Sequence, residues 1–189
     1  MPTAIGWRPA DPTRGGFDEV DDENPLPVYV PPGQPPLVVQ GRLVFIGPVI
    51  VPGIAAADAL DANDQMGTVF SIAVPLAGAI VKAVYHDLDD EGIGKELWIF
   101  RNDPTAGVAA SDAAFSLADG QNVNVVDVLT FSTFKDAANN QVSVSTDVPC
   151  WYVAPAGRLW LAVKTVGADN IAADAMPSLS FVIERYDLG

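Results

Sequence analysis

Cysteine and histidine are almost absent from this chain, which has one of each among its 189 residues, Cys150 and His86. A single thiol excludes an intramolecular disulfide and a cysteine metal cluster, and a single imidazole excludes a two-histidine metal site. A Ser-His-Asp triad would have to use His86, but the Gly-x-Ser-x-Gly motif that would supply its nucleophile is missing. We therefore expect neither an enzyme nor a cofactor, and we interpret His86 as a surface or capping group.

Basic residues are also scarce. The chain has 10 lysines and arginines against 24 acidic residues, which gives a formal net charge of −14. A field of this sign repels phosphate backbones and anionic lipid headgroups, so we expect no binding to nucleic acid. The charge favours solubility at high concentration, and it leaves open a second interpretation, docking onto a basic protein partner.

Long apolar runs that could cross a membrane are missing as well. The most membrane-like uncharged run, residues 69–81, is far short of about 20 residues and contains Pro75 and Gly78. The first residues have neither a basic region nor an apolar core, so they predict no secretory signal. These patterns predict a soluble protein, without a membrane partner, that is made and kept in the cytosol.

Proline is concentrated near the N-terminus, where nine of the 16 prolines lie in residues 1–36 beside an acidic cluster at residues 18–23. Because proline fixes φ and donates no backbone hydrogen bond, this segment cannot form an interior strand or a helix. We interpret it as an extended arm that lies across a neighbouring subunit, with a solvated, disordered tail as the alternative. The candidate contact residues are apolar anchors that a simple spacer would not need: Trp7, Phe17, Leu26, Val28, Tyr29 and Val30.

From residue 37 onward, short apolar segments alternate with turns rich in Asp, Asn and Gly. Alternation with period two predicts half-buried strands rather than helices. The predicted strands are residues 37–46, 68–74, 79–85, 95–101, 113–117, 123–131, 142–144, 158–166 and 179–186. The connections are too short for repeated βαβ units. We therefore expect an all-β fold, an antiparallel, jelly-roll-like β-sandwich over residues 37–189, with little helix beyond a turn or two in residues 55–62 and 106–114.

Two motifs match ligand-binding loops only in part. Residues 87–92 place carboxylates at offsets one, three and five and glycine at six, as in a calcium loop, but offset twelve is Trp98 rather than glutamate. A solvated acidic turn between two strands is the better interpretation. In residues 92–95 a Gly-x-Gly-Lys pattern suggests a phosphate loop, but Glu96 follows the lysine and would repel phosphate.

The aromatic residues mostly occupy alternating positions in the predicted strands, where large rings fill a sandwich core. They are Trp98, Phe100, Phe115, Phe131, Trp151, Trp160 and Phe181. The alternative is a sugar-binding platform, which needs two or three rings exposed together. Trp151 and Tyr152 are the best candidates, because adjacent strand residues face opposite sides. We place their neighbour Cys150 in the core, as a small buried hydrophobe.

Three segments in order resemble the capsid decoration, or cement, proteins of tailed bacteriophages. These are Asp-Gln-Met-Gly at residues 64–67, the strand and acidic turn of residues 80–90 followed by Leu-Trp-Ile-Phe at 97–100, and Asp-Ala-Ala-Phe-Ser-Leu-Ala-Asp at 112–119. Family members often read Asp-Asn-Ala-Ala-Phe in the last segment, and this chain lacks the asparagine. The resemblance covers residues 58–131 and contains no catalytic signature.

The resemblance implies a jelly-roll virion protein that forms homo-oligomers, with a trimer favoured, on the outside of an icosahedral capsid. Such a protein would fasten neighbouring major capsid proteins, and it would be assembled in the host cytoplasm. A tail or baseplate component with the same likeness remains an alternative. So does a carbohydrate-binding β-sandwich module, which exposed aromatics near the loops would distinguish.

The arm interpretation predicts that deletion of residues 1–36 leaves a folded domain that no longer binds capsids. The reason is that the predicted strands all lie after this segment, whereas the apolar anchors lie within it. Circular dichroism would test the fold, and cosedimentation with capsids would test binding. Unchanged capsid occupancy by the shortened chain would contradict the role given to the arm.

Overall fold

The computed structural model describes residues 42–55, 58–172 and 174–186. The predicted arm of residues 1–36, with its six anchor residues, lies outside the described residues. Within them the chain forms twelve β-strands and two short 3₁₀ helices, Thr105–Gly107 and Asp119–Asn124. The strands are β1 Arg42–Ile50, β2 Asp58–Leu60, β3 Gln65–Ala73, β4 Ala77–Asp87, β5 Lys95–Phe100, β6 Val125–Phe131, β7 Phe134–Asp136, β8 Gln141–Val144, β9 Cys150–Val153, β10 Arg158–Thr165, β11 Asp169–Ile171 and β12 Ser178–Arg185.

The strands form two main antiparallel sheets. The first sheet has the order β1-β12-β4-β8-β7, and β9 pairs with the other half of the same edge of β4 that β8 occupies. The second sheet has the order β3-β10-β5-β6, and β2 pairs with β11 in a separate two-stranded ribbon. Because β8 and β9 follow one another along β4, they act as one interrupted strand.

This connectivity is that of a jelly roll. The chain starts in the first sheet with β1, crosses to β3, returns to β4, and then forms β5 and β6 in the second sheet. It returns with β8 and β9, crosses again to β10, and ends with β12 between β1 and β4. If β8 and β9 are counted as one strand and β7 as an addition at the edge, each layer has four strands, and the two layers are joined as two interlocked Greek keys. The predicted all-β, jelly-roll-like sandwich is therefore confirmed.

The core lies between the two sheets, where alternating side chains of both inner faces meet. In β10, Leu159, Leu161 and Val163 point inward and are fully or almost fully buried. The ring of Tyr85 in β4 lies 5.8 Å from that of Phe131 in β6, which joins the sheets directly. Cys150 is also fully buried in this core, as its apolar neighbours predicted.

Two local predictions were wrong. Residues 113–117 do not form a strand but an irregular segment with two isolated bridges, Asp64 to Ala114 and Val108 to Leu117. The positive φ of 59° at Asp112 turns the chain out of an extended course just before it. The short helix expected in residues 55–62 is replaced in part by β2, because pairing with β11 stabilises three residues better than an unsupported helical turn would.

We predict that Leu161→Ala destabilises the domain by about 2–5 kcal/mol, because truncation of a buried leucine leaves a cavity between the sheets. Val123→Ala is the matched control, since Val123 is 78% exposed and its truncation should change the free energy of unfolding by about 0.5 kcal/mol or less. Urea unfolding of both variants measures the difference. Equal midpoints for the two variants would contradict the assigned core.

Candidate functional site

The outer face of the first sheet carries large exposed apolar side chains. In β1, Phe45 is 75% exposed and Leu43 is also exposed, while in β9 Trp151 is 62% exposed and Val153 is exposed beside it. The strand register places Leu43 and Trp151 in one row that crosses β1, β12, β4 and β9, with Glu184 of β12 and Ala79 of β4 between them. We call Leu43, Phe45, Trp151 and Val153 the apolar face.

The direction of these side chains follows from the alternation along β1. Val44 and Ile46 pack against the core, so Leu43 and Phe45, one residue out of phase, must point away from it. An antiparallel sheet with a solvent-facing side normally places polar residues there. Glu184 and the exposed Lys82 lie among the apolar side chains of this face. Exposed apolar side chains that are grouped within polar surroundings are a mark of an interaction site.

An aromatic pair lies at one end of this face. The ring of Tyr186 stacks on that of Trp151, with centroids 5.3 Å apart and planes inclined by 22°. The Tyr186 hydroxyl donates a hydrogen bond of 2.8 Å to the Glu184 carboxylate. The expectation that Trp151 belongs to the core was therefore wrong, whereas its neighbour Tyr152 is buried. This stack leaves a broad, rigid and largely exposed ring on the surface.

The outer face of the second sheet is different, because the connection between β5 and β6 folds back over it. Phe115 in this connection packs against Trp98 of β5, with ring centroids 5.0 Å apart. Its backbone N–H donates to the carbonyl oxygen of Asn63 at 2.8 Å, which holds the segment in place. The chain thus covers the outer aromatics of one sheet itself, while the described residues leave those of the other sheet exposed.

A group of charged side chains lies at one end of the sandwich, around a buried ion pair. Lys95 at the start of β5 and Asp169 at the start of β11 are 2.9 Å apart, and both are almost fully buried. Lys95 Nζ also donates to the carbonyl oxygen of Ile93 at 2.6 Å and lies 5.4 Å from the centre of the Tyr85 ring. These contacts compensate the positive charge of the Lys95 ammonium group, which would otherwise be costly to bury.

The acidic turn after β4 packs beside this ion pair, and it is less solvated than the sequence predicted. Asp87 is buried, and its carboxylate accepts hydrogen bonds from the backbone N–H groups of Asp89 and Gly92, at 3.3 Å and 3.0 Å. Glu91 accepts one from the N–H of Asn170 at 3.0 Å, which ties the turn to β11. The Asp87 carboxylate thus holds the turn together through backbone hydrogen bonds, and the Glu91 carboxylate attaches the turn to β11.

Burial, followed by the neighbouring carboxylate charges, raises two carboxyl pKa values in this region. Burial, the hydrogen bond and charge of Asp87, and the charges of Asp169 and Glu91 raise the pKa of Asp89 to about 7. Burial also raises the pKa of Asp169, against the attraction of Lys95. Asp89 and Glu91 line an open cavity of ≈ 320 Å³ beside Asp58 and β11. In residues 42–55, 58–172 and 174–186, no three acidic, His or Cys side chains are grouped so that they could hold a metal ion.

The single histidine contacts a serine hydroxyl group, and the single cysteine is buried. His86 Nε2 lies 3.0 Å from the Ser180 hydroxyl oxygen on the neighbouring strand. Burial, followed by the charge and hydrogen bond of Asp127, raises the pKa of the Cys150 thiol to about 12. A thiol with so high a pKa is a poor nucleophile at neutral pH.

None of the six residues proposed from the sequence as contacts can be placed, because Trp7, Phe17, Leu26, Val28, Tyr29 and Val30 are outside the described residues. No family model matches the chain, and comparisons with curated proteins and with solved structures also give no match. No helix in the described part of the chain has the length and apolar character needed to span a membrane.

Sequence reasoning missed the exposure of Leu43 and Phe45, although a signal for it exists. Residues 43–46 read Leu-Val-Phe-Ile, so whichever face points inward, the other face is also apolar. In an antiparallel sheet with one face in solvent, apolar side chains should instead alternate with polar ones along each strand. Lys95 has a similar signal, because it is in phase with the inward-pointing Leu97 and Ile99.

We predict that Lys95→Met destabilises the protein by about 3–5 kcal/mol, because it leaves the buried Asp169 carboxylate without its partner. A second substitution, Asp169→Leu, should recover much of the loss by removing that charge. The control is Lys164→Met, which breaks the partly exposed 2.9 Å pair with Glu96 and should cost about 1 kcal/mol or less. Denaturant unfolding measures all three, and equal losses for the two lysine variants would contradict the prediction.

The raised pKa of Asp89 predicts a pH dependence. A carboxyl whose pKa is higher in the folded state binds more protons there than in the unfolded chain, so stability falls as pH rises from about 4 to about 7. Asp89→Asn should therefore be more stable than the wild type at pH 8, and the difference should shrink below pH 5. Thr105 lowers the pKa of Asp103, so Asp103→Asn should give no such gain. Urea unfolding at pH 4, 6 and 8 tests this prediction.

Proposed function

We propose that the chain is a structural protein of a tailed bacteriophage, a decoration protein that binds the outer surface of the capsid and fastens neighbouring major capsid proteins. The observation that carries the proposal is the apolar face on the first sheet. It offers exposed side chains on a rigid β-sandwich, and the described residues do not cover it. Adhesion to a protein surface is the function that such a face can perform.

The composition of the face supports binding to protein. Protein interfaces are enriched in Trp, Tyr and Phe at their centres, and such residues dominate the binding energy. Trp151 and Tyr186 are already held together by stacking, so little side-chain entropy remains to be lost on binding. The net charge of −14 would speed association with a basic partner surface.

The fold and the sequence resemblance support the capsid as the partner. Jelly rolls occur in viral capsid proteins, and also in lectins and cupins, so the fold by itself does not select a function. The resemblance of residues 58–131 to decoration proteins favours the virion. Its most distinctive segment, residues 112–119, lies over the second sheet through the contact of Phe115 with Trp98. That segment shapes the body and leaves the apolar face available.

Stabilisation of the shell would follow from mass action. A protein that binds the assembled capsid and not the separated subunits lowers the free energy of assembly by RT ln(1 + [L]/Kd), about 2.7 kcal/mol for each site at a concentration 100 times Kd. In this proposal the six N-terminal anchors add contacts to the neighbouring subunit, and the protein acts as a homo-oligomer on the exterior of the virion. No chemical step is required.

A carbohydrate-binding module is the second candidate, and the stacked rings favour it. Trp151 and Tyr186 lie together on the outside of the sheet, with the Glu184 carboxylate beside them as a hydrogen-bond acceptor. Binding of the isolated protein to a glycan array, lost in Trp151→Ala, would support this candidate over the capsid. A tail or baseplate location would be recognised by immunogold labelling of the tail instead of the head.

We predict that Trp151→Asp weakens binding to capsids of the phage that encodes the chain by about 30-fold or more, the loss expected for an interface hot spot of about 2 kcal/mol. The control is Val166→Asp, which places the same charge at another exposed apolar position. Cosedimentation with purified capsids measures both variants. Absence of the chain from purified particles, or equal binding of the two variants, would refute the proposed function.

A further inference from the structure

At both edges of the second sheet, other parts of the chain occupy backbone donors. At β3, the Gln65 N–H donates to the carbonyl oxygen of Ala113 at 2.9 Å, and the Thr68 N–H donates to that of Pro52 at 2.8 Å. At β6, the Thr130 N–H donates to the Asp147 carboxylate at 2.7 Å. Donors that are already used in this way are not available to a strand of another molecule.

The far side of the first sheet is protected by other means. Its outermost strands are β7, which is three residues long, and β9, which is four residues long. In addition, β7 carries the exposed charges of Lys135 and Asp136. Short strands and charges are the usual devices that prevent edge-to-edge pairing between molecules.

The other edge of the first sheet, β1, is protected by a bulge and by Pro48 only in its second half, and residues 43–46 have neither. It is nine residues long, and β12 is its only partner strand among the residues that the structure describes. From Leu43 to Ile50 it carries no charge, and Phe45 and Leu43 extend from its outer face into solvent. In an antiparallel edge strand, every second residue directs its N–H and C=O away from the sheet. These groups form a template for a further strand.

We propose that β1 pairs with β1 of a second copy of this chain, antiparallel and about a two-fold axis at Val44. In this register Leu43 of each copy lies opposite Phe45 of the other on the outer face, so two apolar cross-strand pairs form by symmetry. The new ladder comprises residues 42–46. It ends there because the register of β1 against β12 shifts between Ile46 and Val49, and because Pro48 has no N–H to donate.

Electrostatics favour this edge as the place of contact. Two copies with a net charge of −14 each repel one another, and the cost of approach is smallest where a strand carries no acidic residue. The eight residues of β1 from Leu43 to Ile50 carry no charge and meet this condition. The occupant that fits a self-complementary, uncharged edge is a second copy of the chain. Dimer formation does not depend on the proposed capsid partner.

The experiment measures the oligomeric state of the full-length protein, without capsids, by light scattering after size exclusion. We expect a dimer for the wild type and a monomer for the double variant Leu43→Lys and Phe45→Lys, since four lysines would meet at the axis. Val123→Lys, at an exposed position outside the first sheet, should remain a dimer. A wild-type monomer, whether the edge is free or covered by the N-terminal segment, would overturn the proposal. So would a trimer, or a dimer that the double variant preserves.

Cross-linking tests the register itself. Leu43→Cys and Phe45→Cys are made as separate variants, in which the introduced thiol is the reactive one because Cys150 is fully buried. On mild oxidation, a mixture of the two should form a disulfide-linked dimer in at least fivefold higher yield than either variant alone, because residue 43 lies opposite residue 45. Equal yields in the mixture and the single variants, or no linked dimer, would overturn the two-fold register.

Discussion

Contact between the inner faces of the two sheets is the interaction on which the rest of this structure depends. Tyr85 of the first sheet lies against Phe131 of the second and meets Phe134 edge-on, with ring centroids 6.3 Å apart. Neither sheet could bury its inner face without the other. Because this one interface supplies the core, the two outer faces are free to differ. One is covered by the chain's own connection, and the other carries exposed apolar residues.

Much of this fold follows from alternation that can be read in the sequence. In residues 95–100 and 158–165, side chains in phase with Leu97 and Leu161 are buried, and the strand bounds differ from the predicted ones by one residue. The prediction failed at residues 113–117, where the same alternation occurs without a strand. There the apolar phase is satisfied by Phe115 packing on Trp98. Periodicity reports which side chains are covered, and it does not report whether a strand or a loop covers them.

The candidate site was less predictable, for a physical reason. An exposed apolar face requires knowledge of which neighbours cover a strand, and Leu43 is brought into one row with Trp151 only by the order of strands β1, β12, β4 and β9. The partner of Lys95 is likewise Asp169, 74 residues away. Local sequence could indicate that Lys95 points inward, but the partner follows from topology. The opposite directions of the adjacent Trp151 and Tyr152 side chains were easier to predict, because neighbouring residues of a strand face opposite sides of the sheet.

The connection between β5 and β6 has a practical consequence. It contains Gly120, where an added Cβ would meet no atom within 4 Å, and the strongly exposed Val123. Both lie in the exposed 3₁₀ helix Asp119–Asn124, and exposed positions in a connection accept inserted sequence better than buried ones. The connection belongs to the second sheet, whereas the apolar face belongs to the first. A foreign epitope grafted at Gly120 would therefore leave the apolar face unchanged, which suits this jelly roll to antigen display.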